Sequence, residues 1–316
     1  MPFPRVFFFA AMLPIATWCE AQHADAKRLI AQGDSLLEVN QPRGAMEKFN
    51  AAVKLGATAD ALAARARCWY YQAKYTQFLA DVNQSLALDS LHAQANYQRA
   101  LYASRAEDHK GTVHFATRAL TGNGNQAMQR QALILRGGAE AALGQGAQAI
   151  KDLRQGIGDR LDDPAAMKLL ARLLDETGNP SGSLEVLEKL SVIKLDDIGI
   201  WSNIGYELNR LERYTEALAA LDKALMLDKD EPVVLSNKAY ALLQLDRDAE
   251  AMAAVNQSLR GDAANPYALR TRALLYLRKG EREKACNDLS LAKAMGSPAE
   301  VDNLIKQHCQ GMKPKR

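Results

Sequence analysis

The residues in this chain that could do chemistry are few and scattered. Gly122, Asn123, Gly124, Asn125, Gln126 and Ala127 spell the G-x-G-x-x-A of a dinucleotide-binding turn. That motif needs a strand before it and a helix after it, so that the glycines bring backbone N–H groups against a pyrophosphate. Here it follows a helical stretch ending near Leu120, so it reads as a glycine-rich connecting loop. His109 and His114 straddle a helix start five residues apart, which does not place them on one face, and His23, His92 and His308 have no partner at ligand spacing. No P-loop, nucleophile elbow or H-E-x-x-H occurs. The sequence therefore implies no catalytic residue, metal, cofactor or small-molecule substrate. Its chemistry should be that of a binding surface.

The elements that would carry such a surface are helical. Of 316 residues, 48% are hydrophobic and only 6% aromatic, with Ala, Leu, Arg, Glu and Lys abundant, which fits an all-α chain with a large core. A net charge of +3, with both signs interleaved, gives no electrostatic case for nucleic acid. Residues 1–21 differ from the rest. Arg5 starts a positive region, Val6 to Trp18 is an apolar run too short to span a bilayer, and Ala21 is the small residue of a cleavage site. We read a secretory signal cut after Ala21 and an exported mature chain, periplasmic or secreted, without a membrane span. A lipoprotein reading would use Cys19, against which Trp18 stands; a buried N-terminal helix would have to tolerate Pro2, Pro4 and Pro14.

From Trp201 the chain writes one pattern repeatedly. Trp201, Ile204, Gly205 and Leu208 form one helical stripe, and Tyr214, Ala217, Leu218, Leu221, Ala224 and Leu225 form a second after a polar break. Steps of 34 from Trp201 reach Leu235 and Leu269 forward, then Met167 and Leu133 backward; one three-residue insertion then leads to Asn96, Leu62 and Leu29. A small residue recurs in each first helix at Gly33, Ala66, Ala100, Gly137, Ala171, Gly205, Ala239 and Ala273. The second-helix column reads Ala45, Phe78, Thr112, Ala149, Ser183, Ala217, Ala251 and Ala285, with Phe78 and Thr112 departing from it. Pro164, Pro232 and Pro266 open repeats, and Pro42 and Pro180 open second helices, where a missing N–H costs nothing.

The run Trp201-x2-Ile204-Gly205-x2-Leu208 followed by Ala217-x3-Leu221 resembles the tetratricopeptide repeat. The resemblance implies a right-handed α-solenoid of eight helix pairs, at 26–58, 59–92, 93–129, 130–163, 164–197, 198–231, 232–265 and 266–294. A capping helix is expected over 295–309, opened by Ser297 and Pro298 with Glu300 three residues after the cap, and 310–316 is a disordered tail. Cys286 and Cys309 would lie roughly 12 and 16 Å from the turn their helices share, close enough to bridge, while Cys68 reads as a buried thiol. Gly156 and Gly158 fall in a second helix and suggest local loosening around 150–165.

In that family the first helices line a concave groove. The corresponding face here carries Arg67, Tyr70, Tyr71, Tyr97, Arg105, Arg172, Tyr206, Asn209, Arg210, Tyr240, Arg270 and Arg278, residue types that anchor interfaces. Their excess of arginine over acid suggests a ligand bearing carboxylates. Asn203 and Asn237 occupy one column of the family's carboxylate clamp, but its lysines are missing at the matching places. The expected function is a non-enzymatic scaffold or adaptor for a protein or peptide partner. The alternatives are an assembly factor or chaperone for exported proteins and, more distantly, a cell-wall enzyme, which would need paired carboxylates across the groove.

Overall fold

The computed structural model describes the backbone of residues 15–56, 58–296 and 300–310, and the side chains of those residues from 22 onward. Among the described residues there are seventeen α-helices and no strand. They pair in chain order: α1 (Ile15–Glu38) with α2 (Pro42–Leu55), α3 (Ala59–Tyr71) with α4 (Tyr75–Leu88), α5 (Ala93–Arg105) with α6 (His109–Thr121), and α7 (Gln126–Ala142) with α8 (Gly146–Ile157). Then come α9 (Pro164–Glu176) with α10 (Pro180–Ile193), α11 (Ile198–Arg210) with α12 (Tyr214–Leu227), α13 (Pro232–Gln244) with α14 (Asp248–Gly261), and α15 (Pro266–Arg278) with α16 (Arg282–Ala294). A single helix, α17 (Glu300–His308), follows. The first expected 21 residues, the signal, fall largely outside the described residues, as do Ser297, Pro298 and the tail from 311 onward.

The chain forms two compact units, Met1–Gly156 and Ile157–Arg316. Within each, a hairpin packs on itself and on the next hairpin in the chain, which is the α-solenoid arrangement. Local chemistry starts and stops the helices as the spacing requires. Thr58, Asp108, Asn125, Asp163, Asn179 and Asp197 accept a backbone N–H three residues on, and Pro42, Pro164, Pro180, Pro232 and Pro266 stand in the first turn. Each of the eight hairpins is turned by one residue in the left-handed region: Asn40, Ala73, Glu107, Gly144, Gly178, Glu212, Asp246 and Gly280, with φ from 55 to 76°.

Both small-residue columns are buried throughout. The reason is contact distance: a Cβ on Gly205 would lie 2.4 Å from Leu221, sixteen residues on across the hairpin. The exceptions in the second column are absorbed without a change of register. Phe78 is fully buried in a ring cluster, its centroid 5.3 Å from that of Tyr70 and 5.8 Å from that of Tyr102. The Thr112 hydroxyl donates to the carbonyl of Asp108 at 2.8 Å.

Gly156 sits at a close helix contact, and the division between the two compact units falls directly after it. A Cβ there would sit 2.8 Å from Ile134 and 3.0 Å from the carbonyl of Arg130, so the glycine lets α8 approach α7 closely. Arg130 Nε donates to the Gly156 carbonyl at 2.9 Å across that contact. Gly158 lies beyond the helix, at φ 56°.

Three hairpins also carry a buried ion pair across the same sixteen-residue step. Arg65 grips Asp81 through two hydrogen bonds of 2.7 Å, Arg272 grips Asp288 at 2.7 and 2.9 Å, and Arg136 holds both oxygens of Asp152. Each arginine directly precedes the small residue of its first helix, so its fork spans the hairpin where the helices are closest. Glu140 lies one turn on from Arg136; burial first, and then the charge of Asp152, push its carboxyl up to about 7.

Candidate functional site

In the second unit the repeat period brings residues 34 apart onto one inner face. Leu169, Asn203, Asn237 and Thr271 make one column, Arg172, Tyr206 and Tyr240 a second, and Gly199, Val233 and Tyr267 a third. All but Tyr240 and Thr271 line a groove of about 770 Å³, whose wall also holds Lys168, Asp175, Asp197, Glu207, Ser236, Asp262 and Asn265. A smaller recess of about 350 Å³ shares Tyr206, Ser236, Asn237 and Tyr267 with it, and adds Asn209, Arg210, Tyr240, Thr271, Arg270 and Glu300.

The expected excess of arginine is not free charge. Arg210 bonds Asp175 and reaches Glu207 at 3.4 Å, while its guanidinium lies 5.8 Å from the centre of the Tyr206 ring. Arg172 pairs with Glu176 at 3.8 Å, and Arg278 with Asp246 and Asp248 at 3.0 and 2.7 Å. Lys168 is bonded to Asp197. Around the larger groove Asp175, Asp197, Glu207 and Asp262 outnumber Lys168 and Arg172. The inference of a generally carboxylate-seeking face is therefore corrected: arginines counted along the sequence meet partners that lie one repeat or one turn away. Glu207 is itself buried, and that burial raises its carboxyl above the usual range.

Several neutral groups along the groove and recess have no partner. The side-chain amides of Asn203 and Asn237 make no hydrogen bond among the described residues. The hydroxyl of Ser236, 2% exposed, has no partner, and neither does Oδ1 of Asn209, whose Nδ2 donates to the Asn237 carbonyl at 2.9 Å. A buried polar atom without a partner costs stability, and the first unit holds such atoms too, on Arg67, Asn96, Gln98, Arg99 and Glu140.

The first-unit candidates are drawn into their own packing. Arg67 is bonded to Asp34 and stacks 5.5 Å from the Phe49 ring, and Arg105 lies 5.3 Å from the Tyr75 ring. Tyr70 belongs to the ring cluster around Phe78. Burial, then neighbouring Tyr70 and Tyr71, push the Tyr97 phenol up to about 12. Tyr71, 73% exposed, and Arg105 are the exposed ones among these. Choosing Tyr and Arg by type also passed over Ser236, Tyr267, Lys168, Asp197 and Glu207. The step of 34 that already shows the Asn203 and Asn237 column also reaches Ser202 with Ser236 and Tyr206 with Tyr240.

The end of the second unit is tied down. Cys286 and Cys309 form a disulfide with Cα atoms 5.6 Å apart, Val301 of α17 is fully buried, and Arg282 donates to the carbonyls of His308 and Gln310. Cys68 remains a free, buried thiol, pushed up to about 11 by that burial.

A family model described as the tetratricopeptide repeat matches residues 198–231, the α11–α12 hairpin. No curated protein matches the sequence. Among solved structures, YrrB, described as a TPR protein with an unusual peptide-binding site, is similar at 14% identity over 60% of this chain and 97% of its own, with a TM-score of 0.54. A tetratricopeptide repeat protein from Parabacteroides merdae ATCC 43184 aligns over 91% of this chain and all of its own at 14% identity and a TM-score of 0.47. MamA aligns over 54% of this chain and 96% of its own at 16% identity and a TM-score of 0.44. Residues 198–231 thus match the tetratricopeptide-repeat model, and the α-solenoid fold is one that YrrB shares.

Proposed function

We propose that this chain is an exported, non-enzymatic scaffold that holds an extended peptide segment of a partner protein in the inner groove of its second unit. The observation that carries the reading is the ladder of unengaged polar groups: Asn203 and Asn237 one repeat apart, with Ser236 and Asn209 Oδ1 buried and unpartnered beside them. Packed helices stand roughly 8–10 Å apart, and an extended chain advances about 3.3 Å per residue. Each asparagine would then meet the backbone of about every third peptide residue. The amide offers a donor and an acceptor, which matches the N–H and C=O of a peptide unit. The peptide-binding site described for YrrB supports the same use of this fold.

Catalysis by paired carboxylates fits poorly, because Asp175 and Glu207 both bond Arg210 and are held as one ion cluster. Export rests on the leader-like residues 1–21 and on the Cys286–Cys309 bridge, a bond that persists in oxidising compartments. The test is selection of peptides from a displayed library on the mature chain, followed by titration of the selected peptides. Asn237→Ala should weaken binding about tenfold with unfolding unchanged. Failure to select any peptide, or undiminished binding by Asn203→Ala and Asn237→Ala, overturns the reading.

A further inference from the structure

Arg270 differs from the three arginines that pair across their own hairpins. Arg65, Arg136 and Arg272 each have a fork closed by a buried aspartate across their own hairpin. Arg270 is more deeply covered than these, with 11% of its side chain exposed, and its guanidinium carbon lies 4.8 Å from the Tyr240 ring centre and 6.0 Å from that of Tyr267. Its carboxylate partner is Glu300, the first residue of α17, which is 71% exposed and bonds through Nη1 alone at 2.7 Å. Nε is buried without any acceptor. A guanidinium desolvated between two aromatic faces gains most from an acceptor that takes Nε and an Nη together. Glu300 supplies half of that, from a mobile-length side chain at the mouth of the recess that Arg270 lines.

We propose that the Arg270 recess is a carboxylate subsite of the peptide groove, and that Glu300 of the terminal helix is its built-in competitor. A peptide carboxylate, either an acidic side chain or a free C-terminus, takes Nε and Nη1 while Glu300 swings into solvent. This rests on the groove reading but makes a separate demand: one acid position in the ligand, at the end of the groove nearest α17. Arg172 and Arg210, already paired with Glu176 and Asp175, do not share it.

The direct probe is sodium acetate, followed by the Nε–Hε resonance of Arg270 in the full mature chain. Glu300→Gln should let acetate shift that resonance at about two- to fivefold lower concentration than in the wild type, the range of one exposed ion pair. The disulfide and the Lys293–Asp302 pair, 2.6 Å, keep α17 docked in that variant, and an unchanged melting curve checks this. Peptides selected on the groove are then compared with a free C-terminus, amidated, and with each acidic side chain made neutral. Glu300→Gln should tighten whichever acid-bearing form is used by the same factor, leave the fully neutral form unchanged, and lose its effect when combined with Arg270→Gln. Acetate that never shifts the Arg270 resonance in Glu300→Gln overturns the subsite even where peptides bind. Selection of no peptide at all, with acetate shifting the resonance as expected, instead removes the groove reading and leaves an anion site.

Discussion

The two units use the same residue types for opposite ends. In the first, Tyr70, Tyr75, Phe78 and Tyr102 close on one another, and Arg67 and Arg105 stack on rings of their own unit. In the second, Tyr206, Tyr240 and Tyr267 border open space, and asparagine and serine groups beside them lack partners. Arg65, Arg136 and Arg272 face aspartates sixteen residues on across their hairpins, in both units, whereas Arg270 stands in another column, with Cys286 sixteen residues on, and lines the recess. A polar side chain here is structural where its hairpin answers it, and open to a ligand where it is unanswered and also borders open space, as Ser236 does.

The largest effect should come from breaking an answered pair. Asp152→Ala leaves Arg136 buried without its carboxylate and should cost about 3–5 kcal/mol of unfolding free energy in urea titrations. A loss under 1 kcal/mol would mean that the pair is incidental and that the contrast between units fails.

Next comes pH. The Glu140 carboxyl titrates near 7 in the folded chain against 4.5 for its ordinary value, raised chiefly by burial. Below about 4.5 both states hold the proton and folding is not penalised; between 4.5 and 7 the folded state binds more protons than the unfolded one, so stability falls as pH rises. The loss by pH 8 should reach at most roughly 3 kcal/mol, and Glu140→Gln should remove that slope. Melting temperatures that stay parallel for the two proteins from pH 5 to 8 would count against it.

The smallest effect on stability should come from an unanswered group. Ser236→Ala deletes a buried hydroxyl with no partner, so stability should stay level or rise by up to about 1 kcal/mol while peptide affinity falls. Clear destabilisation would place Ser236 with the packing residues and narrow the groove's claim to a ligand.

Much of the fold is legible in the letters because stacking demands it. Gly205 has to be small beneath Leu221, and that single demand, repeated every 34 residues, marks the period. Phe78 and Thr112 break the column by type yet keep its depth, which sequence spacing alone does not reveal. The site was only half visible. Tyr206, Asn209, Arg210, Tyr240 and Arg270 do border the recess, but which arginines are spoken for depends on carboxylates such as Asp175, 35 positions away and brought close by the stack. Gly156 has a role that composition does not reveal: helix propensity disfavours it, and its approach to Arg130 and Ile134 needs it.

Five of the eight corners are turned by Asn40, Ala73, Glu107, Glu212 and Asp246, where a side chain strains the backbone that glycine would take at ease. Each such bend is held by neighbours on either side and not by its own letter. A single hairpin excised from the row would spring open at its elbow, so the shortest working fragment of this protein is set by mechanics, at several adjoining hairpins, before any question of what it grips.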